Sequence, residues 1–360
     1  MEDTTESLNR AALHYKEAIR LARATQMDSL SDEYTGLEIA LAAVLEKLEK
    51  FTQAIVIYAD ICSRYSEALD PSAQIFQSDT SFMENDDRDN LITRHLRVAV
   101  RASELLAYKL DRVTEAGLFL KKQIFMSQRY LNEVMSNLQN MQDKLALDDV
   151  NGLISTMRLC MIPKEDAVYV PYSTELFAAR DLYVSLALET EDLNEALDTK
   201  FFTILMMHEM GASPIDILLT RCDVGSIYYL LAHKENTSSD EVGAPSLRNQ
   251  GEHHIFYDIS SLCFKDVLSS IAELRSGSGF LNTNEPSDLD DIDQATALAV
   301  YGLGSIAHDC GDYNRALELL REARLRCRGS NNAELLSHVE ASLQKLGTDI
   351  DRHKGLEGNV

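Results

Sequence analysis

Residues 300–323 place two helical stripes of small and apolar residues on either side of a short turn at Gly311-Asp312-Tyr313. The positions that would meet across the two helices are Leu303, Gly304, Ala316, Leu320 and Ala323. The small residues Gly304 and Ala316 allow two antiparallel helices to approach closely, and the larger ones fill the seam. A hairpin of this kind cannot bury its whole apolar face alone, so it must stack on neighbours.

The spacing is typical of a tetratricopeptide repeat (TPR), a helix–turn–helix unit of about 34 residues. Weaker copies recur along the chain, with the same alternation of small and large residues. The predicted series is a half-repeat at 8–25, repeats near 33–65, 91–127, 174–207, 216–274 (with an insert at 233–253) and 294–328, a closing helix at 333–346 and a polar tail at 348–360.

The fold class follows from the same periodicity. Apolar residues recur every three or four positions almost throughout, and the six prolines fall in polar or turn-like stretches. We therefore expect an all-α protein: a single TPR solenoid over residues 1–360, wound as a right-handed superhelix and interrupted by irregular inserts.

The net charge of the chain limits the kinds of molecule that it is expected to bind. The 360-residue chain carries 34 Lys and Arg against 58 Asp and Glu, a net charge of −24. This excess opposes binding to nucleic acid and to anionic lipid, both of which attract cationic surfaces. The sequence predicts protein or peptide partners, no nucleic acid and no membrane contact by this segment itself.

Signals for compartment and redox state are sparse. The six cysteines form no C-x-x-C pair, which favours buried free thiols over disulfides. No stretch approaches the roughly 18 apolar residues of a membrane span. The start Met1-Glu2-Asp3 is acidic, so no secretory or mitochondrial targeting signal is visible.

Motifs that carry catalysis are missing from the sequence. It contains no phosphate-binding G-x-x-x-x-G-K-[ST] loop and no glycine-rich dinucleotide turn, and His208-Glu209 lacks the second histidine of H-E-x-x-H. We therefore expect a protein that is not an enzyme, with no catalytic residues, no cofactor and no metal.

Binding is the remaining activity, because the first helices of stacked TPR units line a concave groove that accepts a peptide. The side chains expected in this groove are Ile39, Ala43, Glu46, Tyr229, Leu298, Tyr301, Ser305 and His308. TPR domains that hold the acidic C-termini of chaperones use Lys and Asn at such positions, so this type of clamp is not expected.

Three segments together resemble one TPR family: A-L-H-Y-K-E-A-I-R-L-A at 12–22, S-D-E-Y-T-G-L-E-I-A-L-A at 31–42 and A-L-A-V-Y-G-L-G-S-I-A at 297–307. The chain resembles the fungal mitochondrial adaptors of the inner-membrane i-AAA protease, which are related to animal mitochondrial TPR proteins. The resemblance implies recruitment of unfolded substrates to that protease complex. It also implies location at the inner membrane and intermembrane space, with an anchor upstream of residue 1.

Other readings remain open. The chain also fits a soluble structural or membrane-trafficking adaptor subunit with acidic helical repeats, which would be cytoplasmic. A hydrolase whose site leaves no sequence motif is a third possibility.

Overall fold

The computed structural model describes residues 2–70, 85–134, 157, 160, 167–240, 249–276, 286–330 and 332–357. Almost all of these residues are α-helical and none lies in a β-strand, so the predicted all-α class is confirmed. The described helices are α1 (Glu2–Ala24), α2 (Asp32–Lys47), α3 (Phe51–Leu69), α4 (Asn85–Leu110), α5 (Val113–Val134), α6 (Ser173–Glu189), α7 (Leu193–Glu209), α8 (Pro214–Asp240), α9 (Asn249–Arg275), α10 (Pro286–Asp309), α11 (Tyr313–Gly329) and α12 (Ala333–Glu357).

Four turns between consecutive helices share one geometry. In each, one of the first two residues after the first helix adopts a left-handed backbone, with φ of 58° at Glu49, 56° at Asp111, 58° at Glu191 and 81° at Gly311. The next amide then reaches back to close the helix end, as in Asp312 N to Ala307 O at 2.9 Å. Only one of the four turns has glycine at the left-handed position. A search of the sequence for glycine at this position would therefore identify only that turn.

A fully buried alanine follows each left-handed residue at the same distance along the chain. These alanines are Ala54, Ala116, Ala196 and Ala316, and none has exposed surface. In α2–α3, α4–α5 and α10–α11 a methyl group there lets the second helix lie close against the first, as predicted for Ala316. The shared register of turn and alanine identifies the hairpins α2–α3, α4–α5 and α10–α11 as copies of one unit, and the same register recurs between α6 and the start of α7.

Consecutive helices pack in the order of a helical repeat. The chain divides into two compact units: residues 1–136 with 169–196, and residues 137–168 with 197–360. In the first unit each helix from α1 to α6 packs on the next, and α4 also packs on α6. In the second unit the same holds from α8 to α12, and α8 also packs on α10. The single solenoid over 1–360 stays a prediction.

Two segments are more helical than expected from the sequence. The insert placed at 233–253 lies partly in helix, because α8 continues to Asp240 and α9 begins at Asn249; residues 241–248 lie outside the described range. The closing helix placed at 333–346 continues to Glu357, so most of the tail at 348–360 is helical. Contacts made by the additional helical residues favour both longer helices. In α8, His233 bonds to Asp309, and in α12, Ile350 packs on a cluster that contains Leu346. No described helix has the length and hydropathy needed to cross a membrane.

Phe264 of α9 fixes the spacing of the helices in the second unit. Its buried ring lies between Gly225 of α8 and Gly302 of α10. A Cβ atom at position 302 would lie 2.3 Å from two ring carbons, and one at position 225 would lie 2.9 Å from the ring. Both positions therefore need glycine because the ring occupies the space of a side chain.

We expect Gly302→Ala to lower the free energy of unfolding by about 1–3 kcal/mol, because the added methyl group overlaps the Phe264 ring. Gly36→Ala in α2 is the matched control: a Cβ there meets nothing within 4 Å. That variant should stabilise the protein by up to about 1 kcal/mol, through helix propensity. Urea unfolding measures both changes, and an unchanged stability in Gly302→Ala would contradict the packing described.

A buried polar cluster joins three helices of the first unit. His95 of α4 is fully buried, and its Nε2 lies 3.0 Å from Oε1 of Gln123 on α5. The hydroxyl of Ser66 on α3 donates to the same amide oxygen over 3.2 Å. Because an amide oxygen only accepts, the neutral ring carries its proton on Nε2. Burial lowers the pKa of His95 to about 4, and the bond to Gln123 opposes this only partly.

Acid should therefore destabilise the protein through His95. The unfolded ring takes up a proton near pH 6.5 and the folded ring only near pH 4, so stability falls as the pH drops through this window. Between pH 6.5 and 5 the loss is about 1–2 kcal/mol. In His95→Gln the loss of stability caused by protonation of His95 should vanish. In His338→Gln, a change at an exposed position, this loss should remain. Urea unfolding at the two pH values tests the difference; equal losses in both variants would rule it out.

Candidate functional site

Five of the eight predicted groove residues line one cavity in the second unit. The cavity has a volume of about 280 Å³ and is referred to as the α10 cavity. The sequence placed these residues on the first helices of separate repeats, and the fold brings them together. The five residues are Tyr229, Leu298, Tyr301, Ser305 and His308.

The walls of the α10 cavity come from α8, α10 and α12. Phe264 of α9 and Leu320 of α11 supply apolar surface between these helices, and Leu230 adds a partly exposed apolar edge. Hydroxyl groups line the other sides, at Ser226, Tyr301, Ser305 and Ser342, and the exposed Lys345 is also part of the lining. The arrangement combines an apolar surface with hydrogen-bonding groups, as in many ligand sites.

Asp309, the last residue of α10, organises the end of this cavity. Its Oδ2 accepts the hydroxyl of Tyr229 at 2.7 Å and that of Tyr257 at 3.3 Å, and it lies 2.7 Å from Nε2 of His233. Its Oδ1 lies 3.2 Å from Nδ1 of His308. These five residues form the Asp309 cluster, which joins α8, α9 and α10.

The phenols of the Asp309 cluster remain protonated donors. Burial raises the pKa of Tyr229, and the hydrogen bond to Asp309 raises it further. Burial also raises the pKa of Tyr257, with a second contribution from the negative charge of Asp309. Both hydroxyls therefore stabilise the carboxylate and hold it in place.

The closing helix contributes to the same site. Nε2 of His308 lies 3.1 Å from Oδ2 of Asp349 on α12, and the hydroxyls of Tyr301 and Ser342 are 3.2 Å apart. Two predicted groove residues are therefore bonded to α12. Sequence reasoning treated this helix only as a cover for the last repeat.

The remaining three predicted residues lie on α2 in the first unit. Ile39 is partly buried and Ala43 is exposed. Glu46 accepts the hydroxyl of Tyr58 at 2.8 Å and lies 3.1 Å from Nε of Arg101. Glu46 thus links α2, α3 and α4. Whether these three residues contact a ligand stays a prediction.

The cysteines match the expectation of free thiols. All six are free, and only Cys310 is exposed. Burial raises the pKa of Cys62 to about 12 and that of Cys160 to about 11, so both thiols are protonated and weakly nucleophilic at neutral pH. Within the described ranges, no group of three or more His, Cys, Asp or Glu residues is arranged to hold a metal ion.

Sequence reasoning missed Asp309, His233, Tyr257 and Lys345. Tyr229 and Asp309 are 80 residues apart, so no short motif joins them. His233 was assigned to an insert and Lys345 to a closing helix. The one available signal was the position of Asp309, which directly follows the predicted groove residue His308.

Comparison with known proteins bears out the family resemblance. Residues 79–211 match the model of the MGR3 middle domain. The chain is a homologue of fungal MGR3. It is 22% identical to the mitochondrial inner membrane i-AAA protease supercomplex subunit MGR3 of Saccharomyces cerevisiae, over 93% of this chain and 72% of that protein.

Two further similarities were found. The Saccharomyces cerevisiae protein described as "Protein MRG3-like" is 26% identical, over 94% of this chain and 77% of that protein. The crystal structure of BtubC (BKLC) from P. vanneervenii is 14% identical and covers 92% of each chain. Its TM-score of 0.39 is too low to support a conclusion.

Removing the carboxylate at the centre of the Asp309 cluster should destabilise the second unit. Asp309→Ala leaves the partly buried hydroxyls of Tyr229 and Tyr257 without this acceptor, which costs about 2–3 kcal/mol. Asp351→Ala, at an exposed position on α12, should change stability by less than about 0.5 kcal/mol. Denaturant unfolding compares the two, and equal stabilities would show that the cluster contributes nothing.

Proposed function

We propose that this protein is a non-enzymatic adaptor that binds segments of client proteins in the α10 cavity and recruits them to a mitochondrial i-AAA protease. The observation that carries the proposal is the convergence of Tyr229, Leu298, Tyr301, Ser305 and His308 on that cavity. Homology to a subunit of an i-AAA protease supercomplex supports the choice of protease.

The chemistry of the cavity suits a polypeptide that is not folded. The ring of Tyr301 and the side chain of Leu298, both partly exposed, offer apolar surface to one client side chain at a time. The hydroxyls of Ser305 and Ser342 can bond to the polar backbone on either side of that side chain. Such a site binds an apolar side chain together with the polar backbone groups beside it. Folded proteins bury both, so the site would select unfolded segments.

An adaptor needs no reaction chemistry of its own. The MGR3 relative is named as a subunit of a protease supercomplex, and in this proposal the cleavage belongs to the protease. The same relationship supports a location at the mitochondrial inner membrane. The proposal assigns the present chain the task of holding a client near the protease.

Filling the α10 cavity tests the client site. Ser305→Phe places a ring in the cavity and should weaken binding of a chemically unfolded, fluorescently labelled client by at least about tenfold, which corresponds to about 1.4 kcal/mol. Ser337→Phe makes the same exchange at an exposed position of α12 outside the cavity and should leave affinity unchanged. Fluorescence anisotropy measures both, and circular dichroism checks that both variants remain folded.

Equal affinities in the two folded variants would place the client elsewhere. Association with the protease is tested separately by crosslinking the intact protein in mitochondria, followed by mass spectrometry. We expect the i-AAA protease among the crosslinked proteins, and its absence would contradict the recruitment step. Recovery of membrane-trafficking proteins in its place would favour the alternative reading as a trafficking adaptor.

A further inference from the structure

A cleft in the first unit is separate from the α10 cavity. It lies between α1, α2 and α3, has a volume of about 480 Å³ and is referred to as the α1 cleft. Ile19 and Leu41, both buried, contribute to its apolar surface. Val56 and Ile57 of α3 extend this surface, and the side chain of Val56 is 63% exposed.

One wall of the α1 cleft is cationic. Lys16, Arg20 and Arg23 line it, and their spacing of four and three residues places them along one face of α1. Leu13 continues the same stripe by one turn and is 67% exposed. An exposed leucine therefore precedes three cations on a single helical face.

The acidic groups of the cleft are largely matched by cations. Glu38 forms an ion pair with Arg64 and lies 3.6 Å from Arg23. Asp60 lies 3.3 Å from Arg64. The lining contains Lys16, Arg20 and Arg23 against Glu38 and Asp60, a sum of +1 in a chain whose net charge is −24.

The cations remain available to a partner. Lys16 is exposed and forms no ion pair within the described part of the chain. Arg20 pairs with Glu17 at 2.6 Å, but both side chains are more than half exposed, so a pair of this kind contributes little and yields readily to another carboxylate. Arg23 uses Nε to bond Tyr34 and keeps most of its side chain exposed.

We infer that the α1 cleft is a docking site for an acidic amphipathic helix of a partner protein. Apolar side chains on such a helix would cover Ile19 and Val56, and its carboxylates would meet Lys16 and Arg20. From Lys16 to Arg23 the stripe is about 10 Å long, the rise of about two helical turns. The site lies in the first unit and does not depend on the proposed role of the α10 cavity.

A protein helix fits the charges better than a membrane surface. An anionic membrane would approach Asp60 and Glu17 as well as the cations, and the net charge of the chain would oppose its approach. A helix can place its carboxylates against Lys16 and Arg20 alone. The distinction is therefore open to direct test.

The test is selection from a displayed library of amphipathic helical peptides, using the full chain as bait. We expect enriched peptides with Asp or Glu beside an apolar face. Lys16→Glu/Arg20→Glu should weaken the best peptide at least tenfold by fluorescence anisotropy, and Val56→Ser should weaken it also. Arg10→Glu/Arg112→Glu makes the same charge change at exposed positions of the first unit outside the cleft and should retain wild-type affinity.

Three outcomes would overturn the inference. The first is selection that yields no peptide or yields peptides without an acidic bias. The second is unchanged affinity in Lys16→Glu/Arg20→Glu, with circular dichroism showing that the variant is folded. The third outcome combines failure to select a peptide with binding to vesicles of phosphatidylcholine and phosphatidylserine. If the wild-type protein sediments with these vesicles and Lys16→Glu/Arg20→Glu does not, the cations of α1 would bind a membrane surface instead.

Discussion

The contact of the Phe264 ring with Gly225 and Gly302 determines how the second unit is built. The ring enters between α8 and α10 where neither helix has a side chain, so both helices approach α9 closely. Tyr229 on α8 and Tyr301 on α10 then face one cavity, with Phe264 in its lining. Protein interiors are packed closely enough that a single methylene group is felt at such a contact. The proposed client site therefore depends on two glycines and one aromatic ring.

Polar contacts also join the same helices. The fully buried Arg221 of α8 forms an ion pair with Asp266 of α9, and the Asp309 cluster joins α8 and α9 to α10. A buried ion pair adds less stability than the attraction between its charges suggests, because both charged groups lose their hydration on burial. It does fix which residues of two helices face each other, since displacing either charge leaves the other buried and unpaired. Apolar contacts set the spacing of these helices, and polar contacts set their register.

The sequence was sufficient for the helical class and for the packing of Ala316 in its hairpin, because each depends on spacing within one or two turns of a helix. It named five residues that line the α10 cavity, but their role in binding a peptide stays a prediction. It was insufficient where contacts join distant segments. His233 and Asp309 are 76 residues apart, and their bond accompanies a helix that continues into the segment predicted as an irregular insert. The α1 cleft likewise combines the cations of α1 with Val56 of α3, a pairing that no local pattern reveals.

The central claim, that the Phe264 ring sets the approach of α8 and α10, is tested most directly by a double-mutant cycle of Phe264→Leu and Gly302→Ala, read by denaturant unfolding. The smaller leucine should make room for the added methyl group. The account predicts that the double variant is more stable than the sum of the two single changes, by about 1 kcal/mol or more. Additive effects within about 0.5 kcal/mol would show that the ring and the glycine do not act on each other and would contradict the account.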